Sequence, residues 1–350
     1  MENLKNIVSR FKISGKVDEV RPMGEGLIND TFKVFVEGSD KPMYVLQRIN
    51  NAIFQNVDML MDNVYKVTNH LRKKNKATLH FLRAKYDKLY HFDGKNFWRV
   101  MDFIQDSITY QAVTPEYSYI AGKSFGEFES LLADLNEPLG ETIPDFHNIE
   151  FRLKQLREAV AEDRAGRVAE IQYYLDEIFK REEEMTVGER LYREGKLPKR
   201  ICHCDTKVNN MLFDKEGNIL CIIDLDTVMP SFIFSDYGDF LRTAANTGTE
   251  DEQNLDNIDF NMDIFNAFTK GYIEGTEDFL LPIEKENLPY AVLLFPYMQT
   301  VRFLADYING DTYYKTKYPG HNLVRTKAQW RLFEKAAEKE KEMKQTLSSL

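Results

Sequence analysis

The densest run of chemically capable side chains is His203-Cys204-Asp205-Thr206-Lys207-Val208-Asn209-Asn210, followed fourteen residues later by Asp224 in Ile222-Ile223-Asp224-Leu225-Asp226. Moving a phosphoryl group onto a hydroxyl requires a carboxylate beside the attacking oxygen and a separate set of oxygen ligands for the metal that bridges the phosphates. Asp205 and Asn210, on one polar loop, can face a single cavity, and Asp224, at the end of a returning strand, can complete the metal set. His-x-Asp and paired aspartates also occur in ordinary turns. The two apolar, β-rich segments that flank this loop, KRICHCD and NILCIIDLD, argue for chemistry over a chance turn.

The elements that must position these residues are legible by period. Residues 18 to 49 alternate as strands, with Phe32, Val34 and Val36 on one side and tight turns at GEG and GSDK. Val57, Leu60, Val64, Val67 and Leu71 then mark one face of a helix that Asn56 can cap. Strands return over 79 to 104 with a turn at 92–95. Helical spacing follows from Tyr117, through 149 to 195, and again from Asp236 to the end, where Ala336 to Gln345 reads as an exposed helix. Gly24-Glu25-Gly26-Leu27-Ile28-Asn29 lies between strands and not before a helix, so it is neither a Walker loop nor a dinucleotide fingerprint. It fits a glycine-rich lid whose backbone N–H groups approach phosphate oxygens, and the downstream loop favours that over a plain hairpin turn.

The bulk properties narrow the classes. The chain of 350 residues is 43% hydrophobic and 29% charged, ordinary globular composition. A net charge of −10 disfavours nucleic acid and anionic lipid as partners. No apolar run is long enough for a membrane helix, and the N-terminus lacks a secretory pattern. Three cysteines, Cys202, Cys204 and Cys221, give an odd count suited to a reducing compartment, so a cytoplasmic protein is expected. Cys202, His203 and Cys204 alternate across a strand and lack C-x-x-C spacing, which favours buried cysteines over a zinc site.

The loop resembles the catalytic loop of protein kinases, H-x-D-x-x-x-x-N followed by a metal-binding Asp; in that likeness Asp205 is the base and Asn210 and Asp224 hold magnesium. Over a wider span, GEGLINDTFKV, YVLQRINNAIF, CHCDTKVNNMLFD, IIDLDTVMPSFIFSDYGDFLR and RFLADYINGDTYYKTKYPGHNLVRT make the chain similar to the aminoglycoside phosphotransferase and choline kinase group, and more closely to the bacterial N-acetylhexosamine 1-kinases. The resemblance implies an α+β, bilobal protein-kinase-like fold: a small antiparallel sheet lobe, residues 1–104, that binds the nucleotide, and a larger mainly helical lobe, 105–350, that binds substrate. It implies ATP and Mg²⁺ as cofactors, with the nucleotide in the cleft. Gly24, Gly26 and Asn29 would form the lid. Gln47 would stand in for the usual strand lysine and pair with Asn63, while Arg48 points to the opposite face. Backbone groups from Asp102 to Ile104 would read the adenine.

Arg302 and Tyr313 would line the sugar pocket with Asp205, although Arg302 and Asp306 could equally be a helix-bracing pair. Leu27 stands where the resembled kinases carry a His near the sugar. The implied acceptor is a free N-acetylhexosamine phosphorylated at O1, the implied partners are that sugar and a nucleotide, and a monomer is expected. Two rivals remain. One is a kinase of choline, homoserine or an aminoglycoside, whose cationic acceptor Arg302 would oppose. The other is a nucleotide-binding pseudokinase, suggested by the missing lysine and opposed by the intact Asp205, Asn210 and Asp224.

Overall fold

Strand alternation and helical period translate directly into elements. The computed structural model describes residues 4–24, 29–110, 113–276 and 279–350. In chain order these form α1 (Leu4–Val8), β1 (Val17–Pro22), β2 (Asp30–Val36), β3 (Tyr44–Ile49), α2 (Val57–Lys73), β4 (His91–Phe92), β5 (Phe97–Asp102), α3 (Pro115–Leu132) and α4 (Ile149–Glu162). Next come α5 (Gln172–Lys180), α6 (Glu182–Met185), α7 (Val187–Arg193), β6 (Arg200–Cys202), β7 (Met211–Phe213), β8 (Ile219–Ile222) and β9 (Met229–Ser231). The remainder is helical: α8 (Phe234–Ala244), α9 (Met262–Gly275), α10 (Pro282–Glu286), α11 (Leu288–Ile308), α12 (His321–Glu338) and α13 (Glu340–Ser349). The mixed α+β class, with a small antiparallel sheet and a larger helical part, is the expected one.

The chain folds as two compact units that interleave in sequence. The first comprises Met1–Thr109, Asp134–Pro144 and Asn210–Met229. Its antiparallel sheet runs β1-β2-β3-β5-β4. Leu46 and Val100 lie opposite one another and are fully buried with Val34 in a core that α1 closes with Ile7 and Val8. One residue along each strand the side chains turn over. Thr31, Gln47 and Arg99 are thereby aligned across three strands on the other face, where Met61 of α2 lies 3.8 Å from Arg99. Helix α2 begins where its cap predicts, the Asn56 side chain accepting from the Met59 amide at 3.0 Å.

The first unit differs from a simple 1–104 stretch because later segments complete it. The β7–β8 hairpin joins through the pairing of Ile108 with Phe213, and Asn63 clamps Gly140 by accepting from its amide at 3.0 Å and donating to its carbonyl at 2.7 Å. Strand is also scarcer over 79–90 than the sequence suggests. That stretch makes only isolated bridges, Phe81 to Met101 and Ala84 to Phe11, because a left-handed turn at Asp87 breaks it.

The second unit comprises Tyr110–Ala133, Asp145–Asn209 and Pro230–Leu350. Its helices α3 and α9 touch backbone to backbone. A Cβ at Gly122 would lie 2.1 Å from the Phe268 carbonyl oxygen, and one at Gly271 would lie 2.1 Å from that of Tyr119, so larger residues would force the helices apart. Phe240 stacks on Phe268 at 4.1 Å in the adjoining core. The stretch 149 to 195 is a series of short helices, α4 ending at Asp163 in a left-handed conformation. The expected exposed helix 336–345 is broken at Lys339, and α13 buries Met343 and Leu347. Among the described residues no helix is long and apolar enough to cross a membrane.

Candidate active site

In the second unit, β6 leads into the loop that carries Asp205. Cys204 adopts φ 62°, a left-handed conformation that a non-glycine residue takes at a cost. The bend is held by Asp236 in the first turn of α8: its carboxylate accepts from the His203 amide at 2.7 Å and the Cys204 amide at 2.6 Å. Thr206 Oγ1 donates to the Asp236 carbonyl at 2.7 Å, and His203 Nδ1 accepts from the Asp205 amide at 3.3 Å. The loop is therefore fixed on both sides of Asp205. Asp236 is fully buried and burial raises its pKa; Glu129, beside it, is pushed well up by burial and by the Asp236 charge. Like charges this close in one buried site disfavour ionisation of both, and Glu129 Oε2 accepts from the Tyr272 hydroxyl at 2.5 Å.

Asp205 itself pairs with Lys207 at 2.5 Å. Burial pulls Lys207 down, but Asp205 and Asp239 outweigh it, so the ammonium is held charged. Asp239 is in turn gripped by Arg242, at 3.0 Å from Nε and 2.9 Å from Nη2, and Arg242 reaches Glu250 at 3.2 Å. Sequence reasoning misses Lys207 and Arg242 as site residues; a lysine two residues after the candidate base is the available signal.

Elsewhere in this unit a pocket of about 200 Å³ is lined by Arg302 and Tyr313, with Arg152 and Tyr314. His147, next to Arg242, Arg152 and Arg302, is held well below its ordinary pKa by burial and then by those guanidinium charges. Arg302 and Tyr313 thus come together as expected, while Asp205 is not part of the pocket wall. Arg302 and Asp306 form no pair: Asp306 is buried and accepts from the Thr312, Tyr313 and Tyr314 amides at 2.9, 2.8 and 3.0 Å, fixing the turn that presents Tyr313.

In the first unit, Asn210 and Asp224 share one end of the β7–β8 hairpin, where the Ile223 amide donates to the Asn210 carbonyl at 2.9 Å. Asp224 is exposed with φ 59°. An amide oxygen and a carboxylate are hard donors and fit Mg²⁺. Asp226, two residues on, does something else. It is buried, and Arg99 grips it with Nη1 at 2.5 Å and Nη2 at 3.0 Å, while Asn29 Nδ2 donates at 2.7 Å. Both of its oxygens are engaged, so it is an ion-pair partner.

The other residues expected to bind the nucleotide are largely committed within this unit. Asn29 also accepts from the Asn50 amide at 2.9 Å. Gln47 donates to Thr31 at 3.1 Å and accepts from Arg99 Nε at 2.9 Å, so the expected Gln47–Asn63 pair does not form; cross-strand register brings Gln47 to Arg99 instead, and Asn63 bonds Gly140 and the Val228 carbonyl. Arg48 does face away, pairing with Asp30. Gly24 turns with φ 65° into open space, whereas Gly26 and Leu27 lie outside the described residues. At the strand end the Asp102 and Phe103 amides donate to His80 and Met43 carbonyls at 3.0 and 2.9 Å, and the Ile104 carbonyl accepts from Ser107 at 2.7 Å.

Solved structures resemble this one closely in fold. An aminoglycoside phosphotransferase from Alicyclobacillus acidocaldarius is 12% identical with a TM-score of 0.64, the match covering 99% of this chain and 96% of that one. A microcompartment-associated aminopropanol kinase is 14% identical with a TM-score of 0.61, covering 97% and 98%. A spectinomycin phosphotransferase solved with ADP and spectinomycin is 12% identical with a TM-score of 0.57, covering 99% and 98%. At these identities the likeness is one of architecture. The profile of the phosphotransferase enzyme family matches residues 19–266, the stretch that holds the sheet, the Asp205 loop, the β7–β8 hairpin and α8, and the chain belongs to that family.

Proposed function

We propose that the protein is a small-molecule kinase that moves the γ-phosphoryl group of ATP onto the anomeric O1 of an N-acetylhexosamine. The observation that carries the sugar reading is that Arg302 and Tyr313, eleven residues apart and separated by a helix end, line one pocket. A guanidinium fork beside an aromatic ring suits the hydroxyls and face of a pyranose. The same arginines disfavour a cationic acceptor such as choline or an aminoglycoside.

Asp205 accepts the proton of the anomeric hydroxyl as that oxygen attacks the γ-phosphorus in line. The bond from the γ-phosphorus to the bridging oxygen breaks, and ADP leaves with its electron pair. Lys207 pairs with Asp205 and holds its carboxylate in place for that step. Asn210 and Asp224 would hold Mg²⁺, which supplies charge neutralisation on the phosphates. Gly24 with Gly26, and the backbone from Asp102 to Ile104, are proposed to bind the nucleotide. Arg99 locked to Asp226, with Gln47 between strands, takes over the bracing that a strand lysine would otherwise provide, so loss of that lysine is compatible with turnover.

The test is Asp205→Asn assayed by ADP formation and by phosphorus NMR of products from GlcNAc and GalNAc. Turnover is expected to fall by roughly 10² to 10⁴ while nucleotide binding persists. Near-normal turnover in the folded variant removes Asp205 as base; a 6-phosphate product removes the O1 assignment.

A further inference from the structure

The pocket that holds Arg302 and Tyr313 carries more positive charge than a neutral sugar needs. Arg302 donates to Gln299 Oε1 at 2.9 Å, and its guanidinium lies 5.4 Å from the Phe146 ring centre and 5.7 Å from that of Tyr314. Arg152, on the same wall, donates to Gln155 Oε1 at 2.9 Å and to the Phe146 carbonyl at 2.9 Å. All these partners are neutral. Among the described residues neither guanidinium has a carboxylate within ion-pair distance.

Three buried polar atoms around this wall lack any partner: Arg152 Nε, the Tyr314 hydroxyl and His147 Nδ1. Two of them are donors, and an N–H or O–H closed off from water without an acceptor is costly. Burial, followed by the Arg302 charge, brings the Arg152 guanidinium down to about 10, as happens where two cations face each other across too little compensating charge. The Tyr314 hydroxyl is raised by burial, so it stays a proton donor. By contrast Arg242, a short way off, is fully compensated by Asp239 and Glu250. The wall also carries Asp306, but its carboxylate is taken up by the Thr312, Tyr313 and Tyr314 amides and by Asn322.

We propose that the acceptor carries a compact oxyanion substituent, held between Arg152, Arg302 and the Tyr314 hydroxyl. The proposal rests on reading this pocket as the acceptor site. A carboxylate or a sulfate ester offers several lone pairs in the geometry a guanidinium fork recognises. The substrate class is then an acidic or sulfated hexose, with the anionic group at the far end of the ring from the hydroxyl that is phosphorylated.

Matched sugar pairs test this: GlcNAc against GlcNAc 6-sulfate, and glucose against glucuronate, each measured for kcat/KM and, by calorimetry, for binding. One charged member should exceed its neutral twin by about 10- to 100-fold, the size expected of one or two charge-assisted hydrogen bonds; whichever arm wins names the anion. Arg152→Gln should collapse that ratio toward one, and Arg152→Lys should restore part of it, which also covers the case in which the glutamine variant folds poorly. The proposal is overturned if neutral twins do as well in both pairs, if Arg152→Gln weakens both members of a pair alike, or if inorganic sulfate binds as tightly as the sulfated sugar. A charged sugar that binds selectively but is never phosphorylated upholds the anion site and removes the kinase reading; neutral sugars that turn over without any preference for charge do the reverse.

Discussion

Two buried aspartates, each close in sequence to a candidate reactive residue, are stabilised in opposite ways. Asp226, in the first unit, stays in the interior by gripping Arg99 through both oxygens. Asp236, in the second, has backbone amides and a neighbouring acid, Glu129, as its partners, and burial raises its pKa. The first is a charged pair that ties a sheet strand to the segment after Asp224. The second is an amide receptor that fixes the strained turn before Asp205. An ion pair tolerates only a complete partner, whereas a carboxyl that accepts amides loses its anchoring in smaller steps.

Breaking the ion pair should have the largest effect. Arg99→Met leaves Asp226 buried without its cation and should cost about 3–5 kcal/mol in chemical denaturation, while Arg99→Met combined with Asp226→Leu should recover most of that loss. Equal costs for the single and double variants would show that the pair's charge is not what matters there.

Glu189 extends the comparison to an acid with less help than Asp236. Its Oε1 accepts from the Ile149 amide at 3.1 Å, its Oε2 is buried without a partner, and burial raises its pKa from 4.5 to about 7. A raised carboxyl favours the protonated form in the folded state. Its contribution is intact below the unfolded value and is lost as pH rises through the folded one, a fall of roughly 3 kcal/mol at most between about pH 4.5 and 7. Stability measured against pH should show this slope in the native protein and lose it in Glu189→Gln; an unchanged slope would assign the titration elsewhere.

The smallest effect is expected at the second strap of the Asp205 loop. Thr206→Val removes the buried hydroxyl that donates to the Asp236 carbonyl and should cost about 1 kcal/mol. If Asp236 and Thr206 together position Asp205, kcat should fall more than KM changes; a drop in stability with kcat unaltered would make the strap purely structural.

Much of this architecture is legible in the order of the residues. Strand alternation from 18 to 49, the Asn56 cap and the apolar face of α2 follow short periods, and short periods reflect backbone geometry that each segment carries with it. Asp205, Asn210 and Asp224 stand out because their spacing along the chain is itself the signal. The expected Gln47–Asn63 pair fails because nothing local reveals that register sets Gln47 opposite Arg99. The break at Lys339 leaves no local mark either, because an A/E/K-rich run looks the same whether or not Met343 finds a core to enter.

The sequence by itself determined the α+β class, the elements of the sheet and the reactive side chains of the loop, since each depends on residues within a few positions of one another. Only the tertiary structure decided how they are held and charged. Arg99 and Asp226 meet across 127 residues, and Arg152 comes from a helix far along the chain from the one that carries Arg302. Whether a buried charge finds a partner depends on strand register and helix packing summed over the whole chain, and no local pattern records that sum.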